Sequence, residues 1–362
     1  MAKTTVGVLL GGRSAEHEVS LQSGKNIIEA IDKDKYNVFP IGMNKQGELY
    51  LYESYDFLKH PDNPEKVSLK NSDNKLAVLT GETKGQFLNL AKQEVISKID
   101  VIFPVLHGPY GEDGSIQGLL KLINLPFVGA KILGSAVGMD KDVMKRLLRD
   151  AKINIADFEV CVSADEANFK RAKEKFGVPF FVKPANLGSS VGVSKVKTEK
   201  DFATAIKEAF KFDNKVIVEE AIVGREIECS VLGNKELKAS IPGEILPVKD
   251  FYSYEAKYID SEGARLDIPA DLSDAEIEAV QEIAVKTYKA LCCQGLARVD
   301  VFLQEDGQII VNEINTLPGF TRISMYPKLW EISGIAYSDL IDRLIQLALE
   351  DYQAEQKLQT SI

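Results

Sequence analysis

The sequence lacks what would take it to a membrane, an oxidising compartment or a nucleic acid. No apolar run in its 362 residues approaches the ~18 needed to cross a bilayer. Its four cysteines, two of them adjacent at Cys292 and Cys293, form neither a CxxC pair nor a disulfide framework. They are expected to be reduced, mostly buried small hydrophobes of a cytoplasmic protein. Positive charge is in deficit: 44 Lys and Arg against 54 Asp and Glu give a net charge of −10. That argues against general binding to nucleic acid or anionic lipid, so a polyanionic ligand must meet charge gathered locally. The stretch MAKTTVGVLLGG has a short apolar run that reads as a first strand, without signal-peptide architecture. Neither GxGxxG nor GxxxxGK[ST] occurs.

What is there is ordinary for a globular chain, 45% apolar and 27% charged, and its length predicts two or three domains. The organising stretch is 295–324, GLARVDVFLQEDGQIIVNEINTLPGFTRIS. Asp306-Gly307 between two β-type runs predicts a hairpin with a two-residue turn. Asp300 then faces Glu313 and Arg298 faces Asn315, and strand alternation puts all four on one face. Ile309 and Val311 are expected on the Glu313 face, and Phe302 on the Asp300 face. Carboxylates directly opposite one another repel unless a cation lies between them. Oxygen donors from Asp, Glu and Asn, without His or Cys, suit Mg²⁺ rather than zinc. The alternative is a hairpin with a solvated charged face.

Residues 4–10 read as a buried parallel strand ending in Gly11-Gly12, with a helix following through about residue 31. This strand–glycine–helix order opens an α/β unit whose ligands gather at strand C-terminal ends. Glu16 lies at that edge; alone it reads more readily as a helix N-terminal charge. Strands are also expected at 36–42, 48–52, 99–106 and 127–129. Residues 53–92 read as an irregular polar excursion without a function. The 99–106 strand runs into His107-Gly-Pro-Tyr-Gly-Glu-Asp-Gly114, a loop rich in glycine, where an isolated His107 is as readily a plain loop histidine. One helix is predicted over 135–149, with Lys141 a solvated lysine by default. Residues 178–183 and 191–196 read as antiparallel strands joined by a Gly/Ser loop that can fold over a polyphosphate. Lys183 sits at the strand end. A helix over 198–210 and a strand over 216–221 follow, then strands at 228–232 and 237–244 and an ordered loop at 251–258. Ser273 and Glu276 form a capping box for the next helix, and the closing helix is expected over 340–349 with a polar tail beyond.

Six stretches, taken together and in order, resemble the D-alanine–D-alanine ligases of the ATP-grasp superfamily over essentially the whole length. They are GGRSAEHEVS at 11–20, HGPYGEDGSIQG at 107–118, KPANLGSSVGV at 183–193, EEAIVGREIE at 219–228, YEAKY at 254–258, and RVDVF with NEINTLPGFTRIS. The resemblance implies an N-terminal Rossmann-like α/β domain (1–140), then an ATP-grasp fold of α+β character in two subdomains, 141–228 and 229–362. It implies ATP-dependent joining of two D-alanines through an acyl phosphate, in the cytoplasm, by a homodimer. Two Mg²⁺ ions, with Mn²⁺ as an alternative, would be held by Asp300, Glu313 and Asn315. Lys141, Lys183 and the Gly188-Ser189-Ser190 loop would bind phosphates; Glu219, Glu220, Ile222, Glu226, Phe302 and Asn312 would complete the ATP site. Glu16, with His107 nearby, would take the ammonium of the first D-alanine, and Glu16, Ser189 and Tyr258 would form a triad. Arg298 and the Gly319 N–H would stabilise the oxyanion, and Lys257 and Ser324 would hold the second carboxylate. The rivals are a D-alanyl-D-lactate ligase of the same fold, disfavoured by Tyr258, and a non-catalytic nucleotide sensor, which would be expected to lose Arg298 or a metal ligand. An NAD-linked dehydrogenase is disfavoured by the absent GxGxxG.

Overall fold

The protein is described here from a computed structural model covering residues 3–81, 85–96, 99–247, 264–321 and 323–359. Lys257, Tyr258 and the loop expected at 251–258 lie outside the described residues, as does the end of the polar tail.

Three sheets carry the architecture. In the first, Thr4–Gly11 runs parallel to both Tyr36–Met43 and Val101–Val105. Its neighbours lie on opposite sides, so the loops leaving Gly11 and Val105 open onto one crevice at the strands' C-terminal ends. The apolar run of the opening strand is buried throughout after Thr4, as a two-sided parallel strand requires. The stretch expected to be irregular instead adds antiparallel strands, Lys75–Val78 and Phe87–Asn89, beyond Leu49–Leu51, and Glu94–Ile96 just past it makes the sheet seven-stranded. Leu58–Lys59 and Ser68–Leu69 pair separately. Segments of two to four residues are too short for alternation to register in sequence.

The second sheet orders Phe158–Cys161, Val216–Glu220, Phe180–Pro184 and Ser194–Val196, all antiparallel. The third is built on Arg225–Gly233, flanked by Gly243–Pro247 and by Gly295–Leu303, which pairs in turn with Ile309–Asn315. The single helix expected over 135–149 is two, Ile132–Met139 and Lys141–Asp150. Asp140 breaks it with extended backbone and caps the second helix, its carboxylate accepting from the N–H groups of Asp142 and Val143. Lys141 therefore stands at a helix N-terminus rather than mid-helix. The Ser273–Glu276 capping box forms as expected ahead of Asp274–Ala290. The closing helix runs longer than expected, Tyr337–Glu355, and a further helix, Met325–Ile332, precedes it. Phe320, Tyr326 and Trp330 join Val6 and Phe103 in one core, with Phe103 and Phe320 meeting edge to face at 5.8 Å. This docks the loop after Asn315 against the first sheet.

The central hairpin holds two compensating corrections. The turn is not the two residues Asp306-Gly307: Leu303 pairs Ile309 and the Gln304 N–H donates to the Gln308 carbonyl, leaving a three-residue loop. Continued regularly, that register would miss the expected pairs by one. A bulge between Asp300 and Val301 restores it, so Asp300 faces Glu313 and Arg298 faces Asn315 as expected. The bulge has a second effect. Ile309 and Val311 turn to the core face, with Val299 and Val301, and not to the face of Glu313. Phe302, paired with Ile310, stays on the Asp300 side.

Candidate active site

Where the three sheets meet, one pocket is lined by Glu16, His107, Gly188, Ser189, Arg298, Asn315, Gly319 and Ser324. Each comes from a stretch singled out in the sequence, and each stretch arrives by its own element. Glu16 precedes the helix His17–Ala30 at the end of the opening strand. Its carboxylate is buried and accepts a hydrogen bond from the Ser189 hydroxyl. Ser189 and Ser190 hold left-handed backbone, φ 53° and 59°, so the loop curls back on itself toward the first sheet. The Ser14 hydroxyl donates to the His107 carbonyl at 2.7 Å, joining the first sheet's two glycine loops. Gly108 completes that junction: its φ is +75° and a Cβ there would lie 2.8 Å from Glu16 Oε2.

His107 is buried, its Nδ1 3.1 Å from the Leu317 carbonyl and its Nε2 3.2 Å from the Ser23 hydroxyl. Burial depresses its pKa, but the nearby Glu112 and Glu16 carboxylates and the Leu317 carbonyl outweigh this and raise it above the ordinary histidine value. Glu112, 3.7 Å away, is raised in turn, chiefly by burial, with Glu16 adding to it. At the far side of the pocket, a Cβ on Gly319 would lie 2.7 Å from Ser324 Oγ, which also accepts from the Thr321 N–H at 2.9 Å.

Across the third sheet, Glu228, Asp300 and Glu313 stand side by side on three adjacent strands. Arg298 grips Asp300 through Nε and Nη2 at 2.7 and 2.8 Å and reaches Glu228 at 2.9 Å. Asn315 Nδ2 donates to Asp300 at 2.9 Å. Glu313 continues into an adjoining hollow, where Lys141 Nζ lies 3.4 Å from Glu313 Oε2 and donates to the Leu187 carbonyl at 2.7 Å. Lys183 extends from the second sheet to Glu219 at 2.6 Å and to Asn312 Oδ1 at 3.5 Å. Glu226 pairs with Phe302 in register, and Ile222 lies half-buried in the loop before it. Glu220 does not join them by its side chain: its carboxylate accepts from the Asp157 N–H at 2.6 Å.

Three ionisable groups of the site were missed in sequence. Glu112 and the buried Glu228, which pairs with Arg298, lay inside quoted motifs but carried no assignment. Lys145 is fully buried and pairs with Glu219 Oε2 at 2.7 Å. Its spacing of four from Lys141, one helical turn on the same face, was the available signal. Burial alone would raise the Glu219 pKa; Lys145 and Lys183 pull it down to about 2.

Among the described residues, no group of three or more His, Cys, Asp and Glu side chains is arranged to hold a metal ion. Asp300, Glu313 and Asn315 nonetheless offer oxygen donors and two opposed carboxylates, a donor chemistry that would suit Mg²⁺ completed by phosphate oxygens and water. Lysines from two elements, a glycine loop and this acidic row surround a space between antiparallel sheets, a setting for a polyphosphate beside a small zwitterion.

The chain is similar to known proteins over nearly its whole length. Residues 5–130 match the family model for the D-ala D-ala ligase N-terminus, and residues 147–346 that for its C-terminus. The D-alanine–D-alanine ligase of Oceanobacillus iheyensis is 54% identical over 361 residues, 99% of each chain. The solved D-alanine–D-alanine ligase of Coxiella burnetii superposes with a TM-score of 0.86 at 39% identity, covering 99% of this chain and 97% of that one. That of Bacillus anthracis complexed with ATP superposes at 0.73 and 30% identity, covering 97% and 99%.

Proposed function

The chain belongs to the D-alanine–D-alanine ligase family, with the ATP-grasp fold, and from that premise we propose how its own residues divide the work. It joins two D-alanines into D-alanyl-D-alanine for peptidoglycan precursors, converting ATP to ADP and phosphate. The observation that carries the division is the pocket in which Glu16, His107, Ser189, Arg298, Gly319 and Ser324 converge from separate stretches, beside Lys141 and Glu313.

Glu16 takes the ammonium of the first D-alanine, oriented by Ser189 and backed by His107. The carboxylate of that substrate attacks the γ-phosphorus, ADP departs, and an acyl phosphate remains. The amine of the second D-alanine then attacks the acyl carbon, gives up a proton, and expels phosphate. Arg298 and the Gly319 N–H face the oxygen on which negative charge develops, the interaction that commonly dominates such barriers. Ser324 holds the second carboxylate. Lys257 shares this task, and Tyr258 completes the triad with Glu16 and Ser189; both roles rest on the sequence match. Lys141, Lys183, Gly188 and Ser190 bind the phosphates, and Glu219, Glu220, Ile222, Glu226, Phe302 and Asn312 surround the nucleoside. Two Mg²⁺ ions held by Asp300, Glu313 and Asn315 would neutralise the polyphosphate as charge moves across it.

The reading extends to three domains (1–140, 141–228, 229–362), a cytoplasmic location and a homodimer. No helix among the described residues is long and apolar enough to cross a membrane. The test is phosphate release from Mg²⁺–ATP with D-alanine, L-alanine, or D-alanine plus D-lactate, with the product identified by mass. Release that depends on D-alanine and yields the dipeptide supports the reading. A depsipeptide at neutral pH would replace the second substrate, and ATP binding without any release would return the nucleotide-sensor alternative.

A further inference from the structure

Lys145 has no place in the roles assigned above, yet its ammonium is among the most deeply buried charges described. The side chain is fully buried in the helix Lys141–Asp150, four residues after the phosphate-facing Lys141. Its Nζ lies 2.7 Å from Glu219 Oε2 and 5.7 Å from the centre of the Phe158 ring. The other carboxylate oxygen, Oε1, is 2.6 Å from Lys183. Glu219 thus sits between two ammonium groups that differ in one respect. Lys183 is partly exposed to the cleft and also reaches Asn312 on the third sheet; Lys145 is sealed away from it.

We propose that Lys145 is a positioning residue, the permanent counter-ion of Glu219 that allows Lys183 to turn from this carboxylate to the nucleotide's phosphates. A buried carboxylate left without a cation is strongly destabilised, so a single partner lysine would be trapped on it. With Lys145 holding Oε2, Glu219 remains ionised and paired when Lys183 moves. Against the effect of burial, Lys145 and Lys183 together lower the Glu219 pKa, while burial lowers that of Lys145 against the pull of Glu219. Buried and spaced one turn from Lys141, Lys145 also fixes Glu219 relative to the helix end that presents Lys141. This inference rests on the proposed role of Lys183 as a phosphate ligand.

The test compares calorimetric binding of Mg²⁺–ATP, Mg²⁺–ADP and adenosine to the full-length protein, without D-alanine. Lys145→Met should weaken ATP and ADP binding about tenfold or more while adenosine changes less than about twofold. The KM for ATP should rise with kcat little changed. Lys145→Arg should keep most of the affinity. Because Glu219 also stands beside the nucleoside, the double variant Lys145→Met/Glu219→Gln is compared with Glu219→Gln alone: with the trapping charge gone, Lys145→Met should cost less ATP affinity than it does in the parent. Unchanged ATP binding in Lys145→Met, an equal loss for adenosine and ATP, or an undiminished loss in the Glu219→Gln background would each overturn the proposal. Lys183→Met is measured alongside. If it binds ATP as the parent does, the reading of Lys183 falls and this one with it; if it loses affinity where Lys145→Met does not, this one alone falls.

Discussion

The Ser189 hydroxyl donates to the Glu16 carboxylate across 173 residues of chain, tying the glycine loop of the second sheet to the first helix. Both side chains are buried, so the bond is shielded from competing water. Ser189→Ala should leave Glu16 without this orienting donor. Steady-state kinetics should then show kcat/KM for D-alanine falling about 10- to 100-fold, with the KM for ATP little changed. Parental kcat/KM would make the contact incidental.

Glu313 stands opposite Asp300 and within 3.4 Å of Lys141. Glu313→Gln keeps the shape and removes the charge that a cation needs. Phosphate release should drop by about two to three orders of magnitude, with the Mg²⁺ optimum displaced upward. Its melting temperature should stay close to the parent's. Near-parental turnover would remove Glu313 from the metal site.

Gly319 is restricted by its neighbour, since a Cβ there would come within 2.7 Å of Ser324 Oγ. Gly319→Ala must push the loop or the hydroxyl aside. Because displacements of about 1 Å are costly to a reaction, kcat/KM should fall roughly tenfold or more, with the KM for the second D-alanine rising most. If the KM for the second substrate holds steady, the placement of Ser324 beside that substrate is wrong.

The His107 imidazole has a folded-state pKa above its ordinary value of 6.5, with Glu112, Glu16 and the Leu317 carbonyl facing it. Its contribution to stability is therefore complete below about pH 6.5 and lost as the pH rises through the folded value. Glu112 is raised as well, so its titration slopes the same way. Melting temperatures taken between pH 6 and 8.5 should decline for the parent and decline less for His107→Gln. A parental slope in the variant would show that other groups set the profile.

Much of the site was legible because its chemistry is written in short, contiguous strings. Alternation along a strand put Arg298, Asp300, Glu313 and Asn315 on one face, and that held even though the turn differs from the one expected. A loop one residue longer than the two-residue turn and one bulge cancel, and no local pattern distinguishes that from an unbroken hairpin. The same bulge sends Ile309 and Val311 to the core. The helix break at Asp140 was signalled by a good capping residue, but an apolar pattern running across it hid the signal.

By itself the sequence determined the family, the parallel opening strand with its glycine loops, and the residue types that gather at their ends. Periodicity and turn chemistry are local, so such features survive without knowledge of the fold. Only the tertiary structure decided that the Ser189 hydroxyl meets the Glu16 carboxylate, that His107 shares its surroundings with Glu112, and that Lys145 faces Glu219. Those pairings join residues distant in sequence, and burial fixes their strength; both arise only when three sheets close on one another.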